Sequence, residues 1–261
     1  MGGTLLNVIT VIAGALIGLS IGHRFSDKVQ QSVVTGLGFV TLVIGIDNAL
    51  KTGNIIIPLL SLIIGVIIGE ALNIEAKLET FAAWIQSRFS PNPASTPTSP
   101  INDEALNNRN RFVAGFVTAT LVFCIGPLTF MGSIQDGMSL PSGFQFLAIK
   151  STLDFFAAIA FAASFGIGVL FSGVSVLLIQ GSLALVGFLL VGSLGASITG
   201  DIATSPLILE MTAVGGLILI GLALMLMDIK KARIANFLPA LIIAPLIVFI
   251  ADLLSISIYP L

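Results

Sequence analysis

This sequence predicts an all-α polytopic membrane protein of about eight transmembrane helices, and three observations carry the prediction. Hydrophobic residues make up 56% of the chain and charged residues only 9%, where a soluble domain is about a quarter charged. The apolar residues fall in runs of about 20, the length that crosses a bilayer. Lys and Arg collect in alternate connections between those runs, as the positive-inside rule requires of a multi-pass protein.

Eight segments follow: roughly 4–23, 31–50, 54–74, 111–131, 151–172, 174–195, 206–227 and 234–256. The first has no Lys or Arg ahead of it and no cleavage site after it, so it reads as a retained helix rather than a signal peptide. It carries Gly14, Gly18 and Gly22 at four-residue spacing, and the third carries Gly65 and Gly69. Small residues spaced this way make a face where backbones approach closely, either in a homodimer or within one chain. After the third segment, Leu78, Phe81, Trp84 and Ile85 share one helical face, which predicts a helix lying in the membrane interface. A flexible linker from 90 to 108 holds Pro91, Pro93, Pro97 and Pro100. The chain thus divides into a three-helix unit (1–74), an interfacial helix with its linker (75–110) and a five-helix unit (111–261). Between the fifth and sixth segments, Ser172-Gly173 is the expected turn.

With eight crossings, nine Lys and Arg fall on one side and only Lys51 and Lys150 on the other. The nine-residue side is expected to be cytoplasmic, in a bacterial inner membrane, with both termini outside. The outer side receives Asp47, Asp136, Asp154, Asp201, Glu210 and Asp252, an acidic mouth suited to cations.

The central stretch, 111–156, is where chemistry is expected. Pro127 lacks an N–H and clashes with the preceding turn, so the fourth segment is expected to break at Gly126-Pro127. A broken helix in lipid needs protein or a water-filled cavity to satisfy its freed backbone groups, and transporters use such breaks to build sites. A Pro kink followed by an ordinary polar loop is the bland alternative. Gln135 and Asp136 follow the break, with Ser133, Thr118 and Thr120 adding hydroxyls. Asp154 stands four residues after Lys150, either as a site carboxylate or as an ion pair at a helix end. Asn7, Asp47, Asn48 and Gln180 complete the candidate pathway. Oxygen ligands of this kind suit a hard cation or a proton.

Other chemistries are absent. A net charge of −2 leaves no basic surface for nucleic acid. One cysteine, Cys124, and one histidine, His23, supply neither a disulfide framework nor a metal cluster. No HExxH, paired CxxC or phosphate loop occurs, so neither an enzyme nor a cofactor is expected. Two hairpins look alike: Thr35 to Gly45 then Asn54 and Pro58, and Thr212 to Gly221 then Asn236 and Pro239. Segments one to three and six to eight would then form an inverted 3+3 repeat flanking the central broken pair.

The opening Gly3-Thr-Leu-Leu-Asn7, the run Ile67 to Glu75, Phe123-Cys124, Gly132 to Gly137, Gly166 to Phe171 and Asn236 to Leu241 resemble a bacterial membrane-protein family, domain of unknown function 554. The resemblance covers nearly the whole chain apart from the linker. It implies a bacterial membrane protein, with loose suggestions of a sodium channel or pump, and brings no site residues. Pro127-Leu128 stands where the resemblance implies small residues. The expected function is transport of a cation (Na⁺ or H⁺), or of a small solute coupled to one, near the fourth and fifth segments. A cation channel and a non-transporting sensor or assembly module are the alternatives.

Overall fold

A computed structural model describes residues 2–22, 25–89, 103–125, 127–194 and 205–259. Ten α-helices occur among the described residues: α1 Gly2–Gly22, α2 Asp27–Ala49, α3 Ile56–Leu72, α4 Ile74–Phe89, α5 Asp103–Cys124, α6 Pro127–Gly137, α7 Pro141–Phe165, α8 Gly168–Leu194, α9 Pro206–Leu226 and α10 Ala240–Leu253. No strand occurs among the described residues. Among the described residues, six helices are long and apolar enough to cross a membrane, and two bent pairs, α3–α4 and α5–α6, bring the total up to eight where each pair is one span. The chain is therefore a multi-pass membrane protein. Large apolar side chains such as Phe39, Val43, Ile67, Phe188 and Ile242 stay exposed on the bundle, as a lipid-facing surface requires.

The bends have local causes. α3 ends at Asn73, whose φ of 50° is left-handed, and α4 leaves at 50°. α5 stops at Cys124 and α6 departs at 65°, the break expected from Pro127. The α7–α8 turn is at Gly166, with φ of 83°, and not at Ser172-Gly173. Gly166 takes a conformation that side chains with a Cβ resist. Ser172 instead donates to Val169 O inside α8, and Gly173 faces Ile12 of α1.

The glycine face of α1 is filled within the chain, by α7. A Cβ on Gly14, Gly18 or Gly22 would lie 2.4, 2.3 or 2.6 Å from the carbonyl oxygens of Phe155, Ile159 and Ala163 on α7. These contacts ascend together along both helices, so α1 and α7 run parallel. α2 packs chiefly on α9, where Gly45 and Gly216 approach each other's backbone, and α3 packs on α10 through Gly65 against Ala240 and on the short 3-10 turn before it (Ile234–Phe237) through Gly69 against Asn236. The first three helices are thus interlocked with the last five. The pairs α2/α9 and α3/α10 are antiparallel, as the contacts Gly38–Leu226 with Gly45–Gly216, and Gly65–Ala240 with Gly69–Asn236 just ahead of α10, require; α1 is antiparallel to α8 because α7, parallel to α1, turns back into α8 at Gly166.

α4 does not lie free in an interface. Its apolar side packs on α5, with Ala82 and Ile85 buried and Phe81 edge-on to Phe116 at 6.0 Å, leaving Trp84 exposed. The expectations that fall on His23, Arg24, Gly126, Asp201 and the linker from 90 to 102 lie outside the described residues.

Candidate functional site

The site is built where α1, α6 and α7 converge. α7 begins at Pro141, ten residues earlier than its apolar run suggested. Lys150 is therefore nine residues into the helix and Asp154 thirteen, about 14 and 20 Å at 1.5 Å per residue. Neither stands in an outer loop or at a helix end, as the sequence suggested. Both stand near the middle of α7, and Asp154 meets Asn7, five residues into α1. Lys150 Nζ and Asp154 Oδ2 form a buried ion pair one turn apart. Asn7 of α1, fully buried, donates from Nδ2 to the same carboxylate oxygen at 3.0 Å. Cys124, at the end of α5, is close enough to feel both charges.

Asp136 has a different task. Its carboxylate accepts from Gly3 N at 3.1 Å and Thr4 N at 3.3 Å, so it caps the start of α1 from another helix. The first N–H groups of a helix have no internal partner and carry partial positive charge, which a carboxylate neutralises. Gln135 accepts from Ser142 at 2.7 Å and so ties α6 to the start of α7. Both residues lie inside α6, where a polar loop had been expected. Gly132 and Gly143 make the α6–α7 hairpin tight: Gly132 faces Leu147, and a Cβ on Gly143 would lie 2.1 Å from Asp136 N.

The remaining expected residues divide, and Thr4, which the sequence did not single out, joins one group. Thr4, Asn7, Ser133 and Gln180 are buried, and Thr4 Oγ1, Asn7 Oδ1, Ser133 Oγ and both amide atoms of Gln180 meet no hydrogen-bond partner among the described residues. Thr120 donates to Ser175 across α5 and α8 at 3.1 Å. Asp47 is exposed and pairs with Lys51, which also donates to Asn48, so these two stand apart from the site at the α2–α3 turn. Nor do the described acids form one acidic mouth. Asp136, Asp154 and Glu210 are each buried on separate partners, and Asp252 is exposed. Glu210 accepts from Thr52 Oγ1 at 2.6 Å and Gly53 N at 2.9 Å, holding the α2–α3 turn from α9.

A cleft of about 1000 Å³ opens at the opposite, Lys/Arg-rich end of the bundle. Glu70, Glu75, Lys231, Arg233 and Gln30 line it, and Thr118 of α5 stands in its wall. Arg111 donates to Ser164 O at 2.7 Å and to Gln30 Oε1 at 2.6 Å, placing a cation on the C-terminal end of α7. Arg233 pairs with Glu70 at 2.8 Å, while Glu75 accepts from Ala235 N at 3.0 Å. Burial pushes the Glu75 carboxyl above its ordinary range, and the Ala235 N–H opposes that shift. Sequence reading missed this cleft, because its residues come from five separated stretches. Gly3-Thr4 at the head of an apolar helix was the available signal for the Asp136 cap.

A bundle that is all-helical among the described residues, with a buried ion pair in the middle of α7, is that of a polytopic membrane protein with a polar centre between its helices. The chain belongs to the family described as "Protein of unknown function (DUF554)", which matches residues 2–249. It is 27% identical over 254 residues to the "Uncharacterized membrane protein YdfK" of Bacillus subtilis (strain 168), covering 96% of each chain. It is 28% identical over 242 residues to the "Uncharacterized protein YqgA" of Escherichia coli (strain K12), covering 93% of this chain and 94% of that one. No solved structure matches.

Proposed function

We propose that this protein moves a cation, or a small solute coupled to one, across the membrane through the polar centre of α1, α6 and α7. The observation that carries the reading is the Lys150–Asp154 pair held by Asn7 in the middle of α7. Ionisable groups at that depth are costly and are found chiefly on ion or substrate pathways. The interrupted span α5–α6 beside it supports the same reading, as does the antiparallel relation of α1, α2 and α3 to α8, α9 and α10, which an inverted 3+3 repeat requires. The cleft at the Lys/Arg-rich end gives an approach as far as Thr118. That end faces the cytoplasm of a bacterial inner membrane in this reading, with both termini outside. A cation channel would use the same groups. A sensor or assembly module would need no convergence of Asn7, Lys150 and Asp154.

Bound ligand stabilises a native state in proportion to the logarithm of its saturation. The test is thermal stability of the purified protein against Na⁺, K⁺ and proton concentration, for wild type, Asp154→Asn and Asp136→Asn. Wild type and Asp136→Asn should respond to one of these ions and Asp154→Asn should not. An unresponsive wild type, or an Asp154→Asn variant that responds fully, would remove the site.

A further inference from the structure

Phe165 of α7 and Thr118 of α5 stand in the wall of the cleft at the Lys/Arg-rich end, and the ion pair lies farther along the same two helices. On α7, Phe161 is seven residues after Asp154 (161 − 154) and four before Phe165 (165 − 161), so all three share one helical face. At 1.5 Å per residue Phe161 is about 10 Å along the helix from Asp154 and about 6 Å from Phe165. On α5, Phe123 is five residues beyond Thr118 (123 − 118) and adjoins Cys124, whose thiol feels both charges of the pair. The two helices run antiparallel, since Gly115 faces Phe165 and Phe123 faces Phe161. Phe123 and Phe161 therefore stand between the cleft and the ion pair on both helices.

Both rings are fully buried, with centroids 6.1 Å apart and planes at 65°. Phe161 also meets Phe165, at 6.1 Å and 33°. Three rings thus lead from the cleft wall to the level of Cys124. The α7 face that carries Asp154 continues toward the cleft as Ala157, Ala158, Phe161, Ala162 and Phe165, with no polar side chain. An apolar constriction of this kind sheds water and stops ions. Among those alanines the Phe161 ring is the bulky group, and a ring moves by changing rotamer without moving the backbone.

We propose that Phe161, closed against Phe123, is the gate between the cleft and the Lys150–Asp154 pair. The inference rests on the transport reading above and names the side chains that control entry from the cleft. The gate is shut in this structure, with the rings in contact and Cys124 buried behind them. Turning Phe161 aside would join a cleft of about 1000 Å³ to the Asp154 carboxylate along one face of α7. Phe161 binds no ion in this scheme; it decides when the polar centre meets the solvent of the cleft.

Cys124 is the one cysteine of the chain and reports on the gate directly. The experiment is modification of the full-length protein in lipid nanodiscs, where both faces meet solvent, by the membrane-impermeant cation trimethylammonium-ethyl methanethiosulfonate. The readout is adduct mass against time. Thr118→Cys in a Cys124→Ala background should react readily, and wild-type Cys124 slowly. Phe161→Ala should speed the reaction of Cys124 about tenfold or more, because a cavity replaces the ring. Phe161→Leu disturbs the packing less, so it stays readable if the alanine variant does not fold, and should speed the reaction about threefold. Phe112→Ala removes a like ring from α5 where it packs on Phe171 of α8, and should leave Cys124 slow. Cys124 as slow in the Phe161 variants as in wild type, or opened equally by Phe112→Ala, would overturn the gate. So would a wild-type Cys124 as fast as Thr118→Cys. The ion titration of thermal stability separates the two readings. An ion response with an unmoved Cys124 would leave transport standing without this gate, and an opened Cys124 with no ion response would keep the barrier and remove transport.

Discussion

Lys150→Met isolates the ion pair. The side chains of Lys150 and Asp154 are 5% and 9% exposed, and Asp154 would keep only the Asn7 amide as a partner. Removing one partner of a buried pair costs about 3–5 kcal/mol, because the other charge stays buried without compensation. Replacing both, as in Lys150→Met with Asp154→Leu, is neutral or stabilising by about 1–4 kcal/mol. For a chain of this size each kcal/mol moves Tm by about 2–4 °C, so the single variant should lose roughly 6–20 °C and the double variant should recover it. Unfolding of a membrane protein is commonly irreversible. The assay is therefore the fraction that stays monodisperse in size-exclusion chromatography after a fixed heating time, for wild type, both single variants and the double variant. Single variants within about 1 kcal/mol of wild type would mean a hydrated pair of the surface kind and would refute the reasoning.

Four further outcomes are expected. Asp136→Ala should lose about 1–2 kcal/mol of stability as the α1 cap disappears, by the same amount at every Na⁺, K⁺ and proton concentration in a thermal-shift series. Gly18→Val should cost about 1–3 kcal/mol or more, since its Cβ would meet Ile159 O at 2.3 Å; Gly36→Ala, with open space around it, should be neutral or stabilise by up to about 1 kcal/mol. In a Cys124→Ala background, a membrane-impermeant maleimide on intact cells should label Ser139→Cys and spare Thr80→Cys, both exposed positions, and the reverse pattern would invert the topology. Glu75 has a raised carboxyl pKa, so its contribution is present below its ordinary value of 4.5 and is lost as pH rises through the raised value. Tm of Glu75→Gln should therefore fall less than that of wild type across that interval.

The helices were legible because hydrophobic run length is fixed by the bilayer, and Pro127 marked the broken span by simple stereochemistry. The start of α7 was not. Residues 141–150 are polar enough to read as a loop, yet they form three turns of helix packed on α6 and α1, where Gly143 and Leu147 are buried. That misplacement put Lys150 and Asp154 at an outer rim, where they lie in the middle of α7, and created the appearance of an acidic mouth. The turn was expected at Ser172-Gly173 instead of Gly166, because glycine in an apolar run gives the same letter whether it supports a close contact or a left-handed turn. The partnership of Asn7 with Asp154 spans 147 residues, and no local pattern in one sequence announces it. What the sequence did contain was the short set of intramembrane polar residues from which that centre is drawn.

Charge movement on a solid-supported membrane tests the central claim most directly. Proteoliposomes of wild type, Asp154→Asn and the Lys150→Met/Asp154→Leu double variant would be given jumps of pH, Na⁺ and K⁺. Wild type should give a transient current for one of these ions, and the double variant should be folded and silent. A current of wild-type size from the folded double variant would contradict the assignment of ion coupling to Lys150 and Asp154.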